Sequence, residues 1–355
     1  MPVRITKPEI DLREIINELD KPTGIAGQAI LAAETPQEQQ ALIGAGPNRN
    51  LIINGGFQIW QRGTSGTSGY VADRWKGPNC SAQSKQYDAE VGNYLQLTAT
   101  NAAIMYYGIE LDETGQAAPF EVGETYTISL KVKSTAVMYK PNVSFRDNLA
   151  SGTNTVFTSK EIKAHKGTGE WEDVVYQFVV DAAPHGTAPL FELTLVSFDF
   201  ANTPINIAQV QMVKGTVATP FQYRSRGEEL ALCQRYYYQI NEGGGDRHVV
   251  AMGFALDADD CYGIFHLPVA MRGSLNITMD RLVVYYTAGS TFQLTGNTIQ
   301  GWYNSPAPDI TTVQVMIDLS TAVLTAHQVV GIGFPGNANP TSPGTGGYIS
   351  FYSDF

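Results

Sequence analysis

A chain of 355 residues with 43% hydrophobic side chains is too long for one ordinary sandwich domain and suits two domains with an appendage. Its 23 basic residues face 34 acidic ones for a formal net charge of -11, and no run rich in Lys and Arg occurs. That balance excludes the cationic surface that displaces counterions from a nucleic-acid backbone, so no nucleic-acid partner is expected.

Cysteine usage and the N-terminus narrow the class further. Cys80, Cys233 and Cys261 are odd in number and widely spaced, which gives neither a disulfide framework nor a zinc knuckle. The opening MPVRITKPEIDLREI carries charges where a signal peptide needs an apolar core, so synthesis in a reducing cytoplasm is expected. The apolar run at 322–334 is broken by His327 and Gln328 and is too short to span a bilayer; no membrane insertion is expected.

Residues 1–49 differ from everything after them. Thr6 with Glu9 has the capping-box form, the Thr oxygen accepting an early backbone N–H while the Glu reaches back, so a helix is predicted to start there. Leu12, Ile15, Ile16 and Leu19 then recur at three- and four-residue steps as one apolar stripe, until Pro22 and Gly24 end the helix. A second box runs from Thr35 to Glu38 with Pro36 at the first helical position, and Gly44 and Gly46 stop that helix. Isolated helices shorter than about 12–15 residues are marginal, so these faces need a partner. Either they pack back on the first sandwich, or they dock to other proteins or to copies of the same chain.

From residue 50 onward strand patterns dominate. Residues 126–133 and 191–198 alternate with period two, and 174–180 is a run of β-branched and aromatic residues. Such alternation buries one face and wets the other, as antiparallel sandwiches require. No αβ alternation is present, which argues against a doubly wound fold.

Two motifs bracket this region. Residues 50–63 read NLIINGGFQIWQRG and are followed by Ala72-Asp73-Arg74-Trp75, while residues 210–237 read VQMVKGTVATPFQYRSRGEELALCQRYY. Together they resemble the opening strands, and the closing strand with its exit helix, of the jelly-roll domain in phage tail-fibre and related virion proteins. Trp60 and Trp75 fall in the motif and are predicted as core. Lys214 stands before Gly215 where the family often has an acidic residue. The opening is more distantly similar to carbohydrate-binding modules that begin Asn-Gly-Asp-Phe and often hold a structural calcium ion. Gly56 stands where that Asp would be, and Gln209 occupies a late-strand position that is frequently acidic. Calcium relies on carboxylates among its oxygen ligands, so no calcium site is carried over and no cofactor is expected.

Ser225 with Glu228 is another capping box, predicting a helix with Leu230, Cys233 and Tyr237 on one side, and NEGGGD at 241–246 reads as a flexible break. Beyond it, strands are predicted at 248–256, 262–268, 274–279, 282–287, 291–294, 311–318, 329–334 and 348–352, enough for a second sandwich. No fixed-period repeat suggests a parallel β-helix. The predicted fold class is all-β: two antiparallel, jelly-roll-like β-sandwich domains in tandem, at 50–225 and 226–355, behind a short helical N-terminal attachment segment at 1–49.

Chemistry-bearing motifs are sparse. The five histidines show no metal-ligand spacing, so no metal is assigned, and no catalytic residues are assigned. Gly331 to Gly336 matches Gly-x-Gly-x-x-Gly in form, but Pro335 and the residues after it forbid the helix that motif needs. Asp257, Asp259 and Asp260 cluster, as do Glu110, Asp112 and Glu113; solvated turns are the reading for both, against a cation site or a catalytic pair. Aromatic residues are the better lead, because flat rings meet the apolar faces of sugars at low entropic cost. Trp302 and Tyr303, in a turn-like setting beside Asn304, are the receptor-contact candidates, with a core or inter-subunit role for Trp302 as the alternative. Leu12, Ile15, Ile16 and Leu19 are the attachment or oligomer candidates.

The resemblance implies a non-enzymatic tail or capsid fibre of a virion, assembled in the host cytoplasm. It attaches to other virion proteins by its N-terminus, forms a homo-oligomer, with trimers common among such fibres, and meets host cell-surface polysaccharide at the far end. A glycan depolymerase or glycosidase, and a purely structural adaptor or decoration protein, are the two rival readings.

Overall fold

The computed structural model describes residues 50–67, 69–77, 80–98, 104–109, 120–138, 142–147, 154–181, 189–196, 203–241, 248–271, 275–280, 282–287, 290–293, 298–304, 310–319, 324–334 and 348–352. The stripe Leu12, Ile15, Ile16 and Leu19 lies outside them, as do Glu110, Asp112 and Glu113. Among the described residues no helix is long and apolar enough to cross a membrane.

The fold is all-β, and among the described residues every strand pairing is antiparallel. The first sandwich contains β1 (Ser65–Gly66), β2 (Gly69–Tyr70), β3 (Trp75–Gly77), β4 (Ala82–Asp88), β5 (Gly92–Thr98), β6 (Ile104–Ile109), β7 (Thr125–Lys133), β8 (Asn142–Asp147), β9 (Asn154–Val156), β10 (Ser159–Lys163), β11 (Glu172–Val179), β12 (Pro189–Val196) and β13 (Ile205–Lys214). One sheet runs β1-β4-β5-β13-β7-β11-β10 and the other β2-β3-β6-β12-β8-β9. From β5 to β8 the chain changes sheet at every strand, and it does so again from β11 to β13. This places sequence neighbours on opposite sides of one core.

Alternation decides what fills that core. Along β7, Tyr126, Ile128, Leu130 and Val132 are buried, while Ser129, Lys131 and Lys133 lie on the other face. Each fully buried side chain of this size contributes about 1.5–3 kcal/mol. Trp75 is fully buried, as predicted, with its ring centroid 5.3 Å from Phe57 and 4.8 Å from Tyr107; Trp60 is half-buried against the same core.

The opening motif corrects the sequence reading. Residues 50–63 form no strand but a knot of turns. Asn54 (φ 57°) and Phe57 (φ 50°) are left-handed, a conformation that Asn tolerates better than most residues. The buried Asn54 side chain donates to the carbonyls of Ile59 and Asp73, both at 2.9 Å, and accepts from the Ile59 N–H at 3.0 Å. Gly55 is required because a Cβ there would lie 2.0 Å from the Val210 carbonyl oxygen. The Ile-Asn-Gly-Gly-Phe run is therefore fixed by backbone contacts and hydrogen bonds instead of a ladder.

Downstream come helix α1 (Arg226–Gln234) and the second sandwich, made of β14 (Tyr237–Asn241), β15 (His248–Ala255), β16 (Asp260–Met271), β17 (Asn276–Asp280), β18 (Val283–Thr287), β19 (Ser290–Gln293), β20 (Thr298–Asn304), β21 (Ile310–Asp318), β22 (Val329–Phe334) and β23 (Tyr348–Tyr352). A three-stranded sheet, β14-β23-β17, stands beside a seven-stranded one, β19-β18-β22-β15-β16-β21-β20. Phe265 of β16 and Phe351 of β23 meet in their shared core at 5.4 Å. Two strands depart most from their predicted bounds: β16 starts at Asp260 and runs past Pro268, because its pairing with β21 slips between His266 and Met271 where the proline has no N–H to donate, and the strand predicted at 274–279 is Asn276–Asp280.

Ser225 caps α1 as predicted, its hydroxyl accepting the Glu228 N–H at 3.2 Å. Tyr237, predicted on the helix, belongs to β14, since the helix closes at Arg235. Buried Glu229 points back to the first sandwich, where it accepts the Asn54 N–H and pairs with Arg224 at 3.3 Å. The Arg62 guanidinium lies 3.5 Å over the Tyr237 ring and that of Arg74 lies 3.4 Å over Tyr236. Gln61 donates to the Tyr237 carbonyl at 2.8 Å, so the knot grips both the helix and the first strand after it.

Candidate functional site

The outward face of the first sandwich's seven-stranded sheet gathers aromatic rings and amides. Leu95 and Leu97 of β5 point into the core, which leaves Tyr94 and Gln96 outward. Register places Gln86 of β4 opposite Tyr94, and Asn206 of β13 opposite both Gln96 and Lys133. Gln96 donates to the Asn206 side-chain oxygen at 3.0 Å, holding the two amides as a unit. Trp171, from the turn before β11, meets Tyr94 edge to face at 5.3 Å, and both rings are half-buried. A ring face of this perpendicular aromatic pair, beside the linked amides, offers what a sugar ring needs, an apolar face and fixed donors and acceptors.

A bulge in β13 extends the surface. The register slips between Ala208 and Gln211, and Gln209 takes the left-handed region at φ 52°. Its amide donates to the Tyr223 hydroxyl at 2.7 Å and to the Val91 carbonyl at 3.3 Å. Exposed Tyr223 in turn meets Phe221 edge to face at 4.8 Å. The late-strand position singled out in the sequence thus holds a Gln engaged with a tyrosine and a carbonyl.

Charges on this face are paired. Lys131 reaches Asp173 at 3.0 Å and Glu90 at 3.8 Å, Lys163 reaches Asp173 at 3.2 Å, and Lys133 reaches Glu170 at 3.8 Å. Burial pulls the Asp173 carboxyl up, but the hydrogen bonds and charges of Lys131 and Lys163 outweigh it and hold the group below its ordinary range. A carboxylate fixed as an anion is a poor proton donor near neutrality. Lys214, the departure noted in the sequence, pairs with Glu121 at 2.9 Å, and that hydrogen bond raises its ammonium above the ordinary value.

The residues singled out from sequence lie elsewhere. Trp302, Tyr303 and Asn304 are in β20, an edge strand, and not in a turn; the Gly and Pro residues around them suggested a loop, but the pairing with β21 extends through all three. Register separates them. Trp302 and Asn304 stand opposite Val315 and Val313, both core positions, and Tyr303 stands opposite Gln314 on the outward row. Asp257, Asp259 and Asp260 do converge, their carboxylate oxygens lying within 4.8 Å of one another in the turn between β15 and β16. Asp257 accepts the N–H groups of Asp260 at 2.8 Å and Asp259 at 3.2 Å, which lowers its pKa, whereas burial and the neighbouring Asp257, Asp318 and Asp259 raise that of Asp260. The three free cysteines are buried, and burial pushes the thiols of Cys80 and Cys261 up to about 11 and about 12.

Tyr94, Trp171, Gln96 and Asn206 were missed in the sequence because they meet across strands far apart in the chain. The alternation in GNYLQLT was the available signal, marking Tyr94 and Gln96 as outward on a strand whose other face is Leu.

No family model and no curated protein matches the chain. Three solved structures illustrate what it is similar to. A tandem pair of CBM22 modules from Paenibacillus barcinonensis Xyn10C is 12% identical over 86% of this chain and 98% of its own, with a TM-score of 0.31. An arabinose-bound MgGH51 α-L-arabinofuranosidase is 19% identical over 48% of this chain and 27% of its own, with a TM-score of 0.32. The enzymatically active domain of tailspike protein 4 of bacteriophage CBA120 is 16% identical over 47% of this chain and 21% of its own, with a TM-score of 0.27. This chain therefore spans under a third of the latter two. At these overlaps none of their activities transfers to it.

Proposed function

We propose that this chain is a non-enzymatic, glycan-binding appendage protein of a virion, a tail or capsid fibre. In this reading residues 1–49 attach it to other virion proteins, and the outward sheet face of the first sandwich meets host surface polysaccharide. The observation that carries the binding reading is the Tyr94 and Trp171 ring pair beside the linked amides of Gln96 and Asn206. The virion role rests on the resemblance of the NLIINGGFQIWQRG and VQMVKGTVATPFQYRSRGEELALCQRYY motifs. The contact surface lies on the first sandwich and takes precedence over Trp302, Tyr303 and Asn304.

A glycosidase reading would look to Asp257 and Asp260, whose pKa values are pushed apart as in an acid and base pair. Both belong to one tight acidic turn, where Asp257 is occupied by backbone N–H groups, which favours the binding reading. The test is glycan-array and calorimetric binding with the full chain, its Tyr94→Ala variant and its Trp171→Ala variant. Each variant should lose about tenfold or more in affinity, the equivalent of about 1.4 kcal/mol. Unchanged binding in both, or release of reducing sugars that Asp260→Asn abolishes, overturns the reading.

A further inference from the structure

We propose that the outward face of the second sandwich's seven-stranded sheet is a self-association surface on which another copy of this chain packs. Register builds two rungs across four central strands. Val329, Phe254, Tyr262 and Met316 stand directly opposite one another across β22, β15, β16 and β21. Gly331, Met252, Ile264 and Gln314 form the next rung. Ala255, Cys261, Val315, Ile317 and Val330, each one residue away on these strands, are buried, so the two rungs mark the other side of the sheet. There Val329 is 65% exposed, Met252 57%, Ile264 39% and Phe254 38%.

Such residues amount to on the order of 500 Å² of apolar surface, the upper end of what a monomer leaves in water. A standard interface needs about 800 Å² per partner, which the polar margin at Thr312 and Gln314 and the flanking Val249 and Leu256 bring within reach.

Charge selects the occupant. A chain with a net charge of -11 repels its own copies, and a surface for self-association must be where that repulsion is weakest. Neither rung contains an ionisable acid or base other than the Tyr262 phenol. From residue 248 to the C-terminus there is no Lys and no Glu, and Arg272 and Arg281 are the only cationic residues apart from histidines. Among the described residues, acidic groups come near the two rungs at one end, where Asp260 stands opposite Asp318. The sheet's edges extend the pattern: β19 and β20 read STFQ and TIQGWYN, with none of the charges or prolines that usually blunt an edge strand.

Sedimentation velocity with light scattering on the full chain at tens of micromolar tests the proposal. The parent should run as a multimer, and Met252→Glu with Ile264→Glu should reduce it to the mass of one chain with unchanged circular dichroism. Val329→Lys, at the most exposed position, is the milder second variant and should weaken association at least tenfold, while Tyr87→Glu on the first sandwich should leave it intact. A parent of one-chain mass overturns the proposal, as does multimer mass retained in both face variants. Dispersal by Leu12→Glu with Ile16→Glu while the face variants stay assembled also overturns it, because the helical stripe would then be the contact. So does loss of glycan binding in the face variants at unchanged mass, which would make the face a ligand surface.

Discussion

In the first sandwich, Asn54, Asp73, Arg74, Gln83, His165 and Gln211 are all buried, whereas the buried polar residue described in the second sandwich is Ser350. Outer faces follow the same division. Lysines and carboxylates pair across the first sandwich, and Met, Phe, Ile and Val lie open on the second. Buried polar groups specify one arrangement only when every partner is present, and the loss of one leaves the others unsatisfied in a low dielectric. Apolar packing is less demanding of chemistry and more demanding of shape. The two sandwiches are therefore expected to fail for different reasons.

The sharpest way to break the comparison is Asn54→Ala. It removes the bonds to Ile59 and Asp73 and strands their buried groups, at a cost of about 3–5 kcal/mol. In calorimetry the transition of the first sandwich should fall and that of the second should stay. The mirror experiment is Gly253→Ala, whose Cβ would lie 1.6 Å from the Tyr262 carbonyl oxygen, so that β15 and β16 must separate locally. About 2–3 kcal/mol should be lost, now from the second transition alone. If either variant moves both transitions together, the sandwiches are one cooperative unit and the comparison fails.

The smallest effect is a pH dependence confined to the first sandwich. Burial lowers the pKa of His165 from its ordinary 6.5, against the opposing pull of Glu172 at 3.4 Å, and its Nδ1 accepts the Met138 N–H. The folded state therefore prefers the neutral ring. Its contribution is complete above 6.5 and declines as pH falls below that value, because the unfolded chain then takes up more protons. Glu172 is held below its ordinary range by Thr168 and Lys166, against burial, so its contribution is lost only at lower pH, beneath 4.5. Urea midpoints between pH 7 and 5 should fall for the first transition, and His165→Gln should flatten that slope. A slope unchanged in the variant would assign the titration to another group.

Legibility in the sequence followed the same division. In the second sandwich, the strands at 329–334 and 348–352 matched the predicted bounds, and 311–318 and 248–256 came within a residue, since β-branched runs there speak for themselves. The first sandwich hid more. The strands Ala82–Asp88 and Ile104–Ile109 escaped because SKQYD is polar and IMYYGI reads equally well as a helix segment. The opening motif was legible as a signature and illegible as geometry, because its Asn side chain does work that periodicity does not register. The ring and amide surface depended on Gln96 meeting Asn206 from 110 positions away, a pairing set by topology.

The stacked arginines have one last consequence. Because Arg62 and Arg74 sit on consecutive tyrosines at the start of β14, and Gln61 holds the backbone between them and the strand, the chain leaves α1 without slack. A pull applied to the far domain would load those two planar stacks in shear before it stretched any loop. Load on the second sandwich would then reach the first as through a joint, where a slack tether would dissipate it.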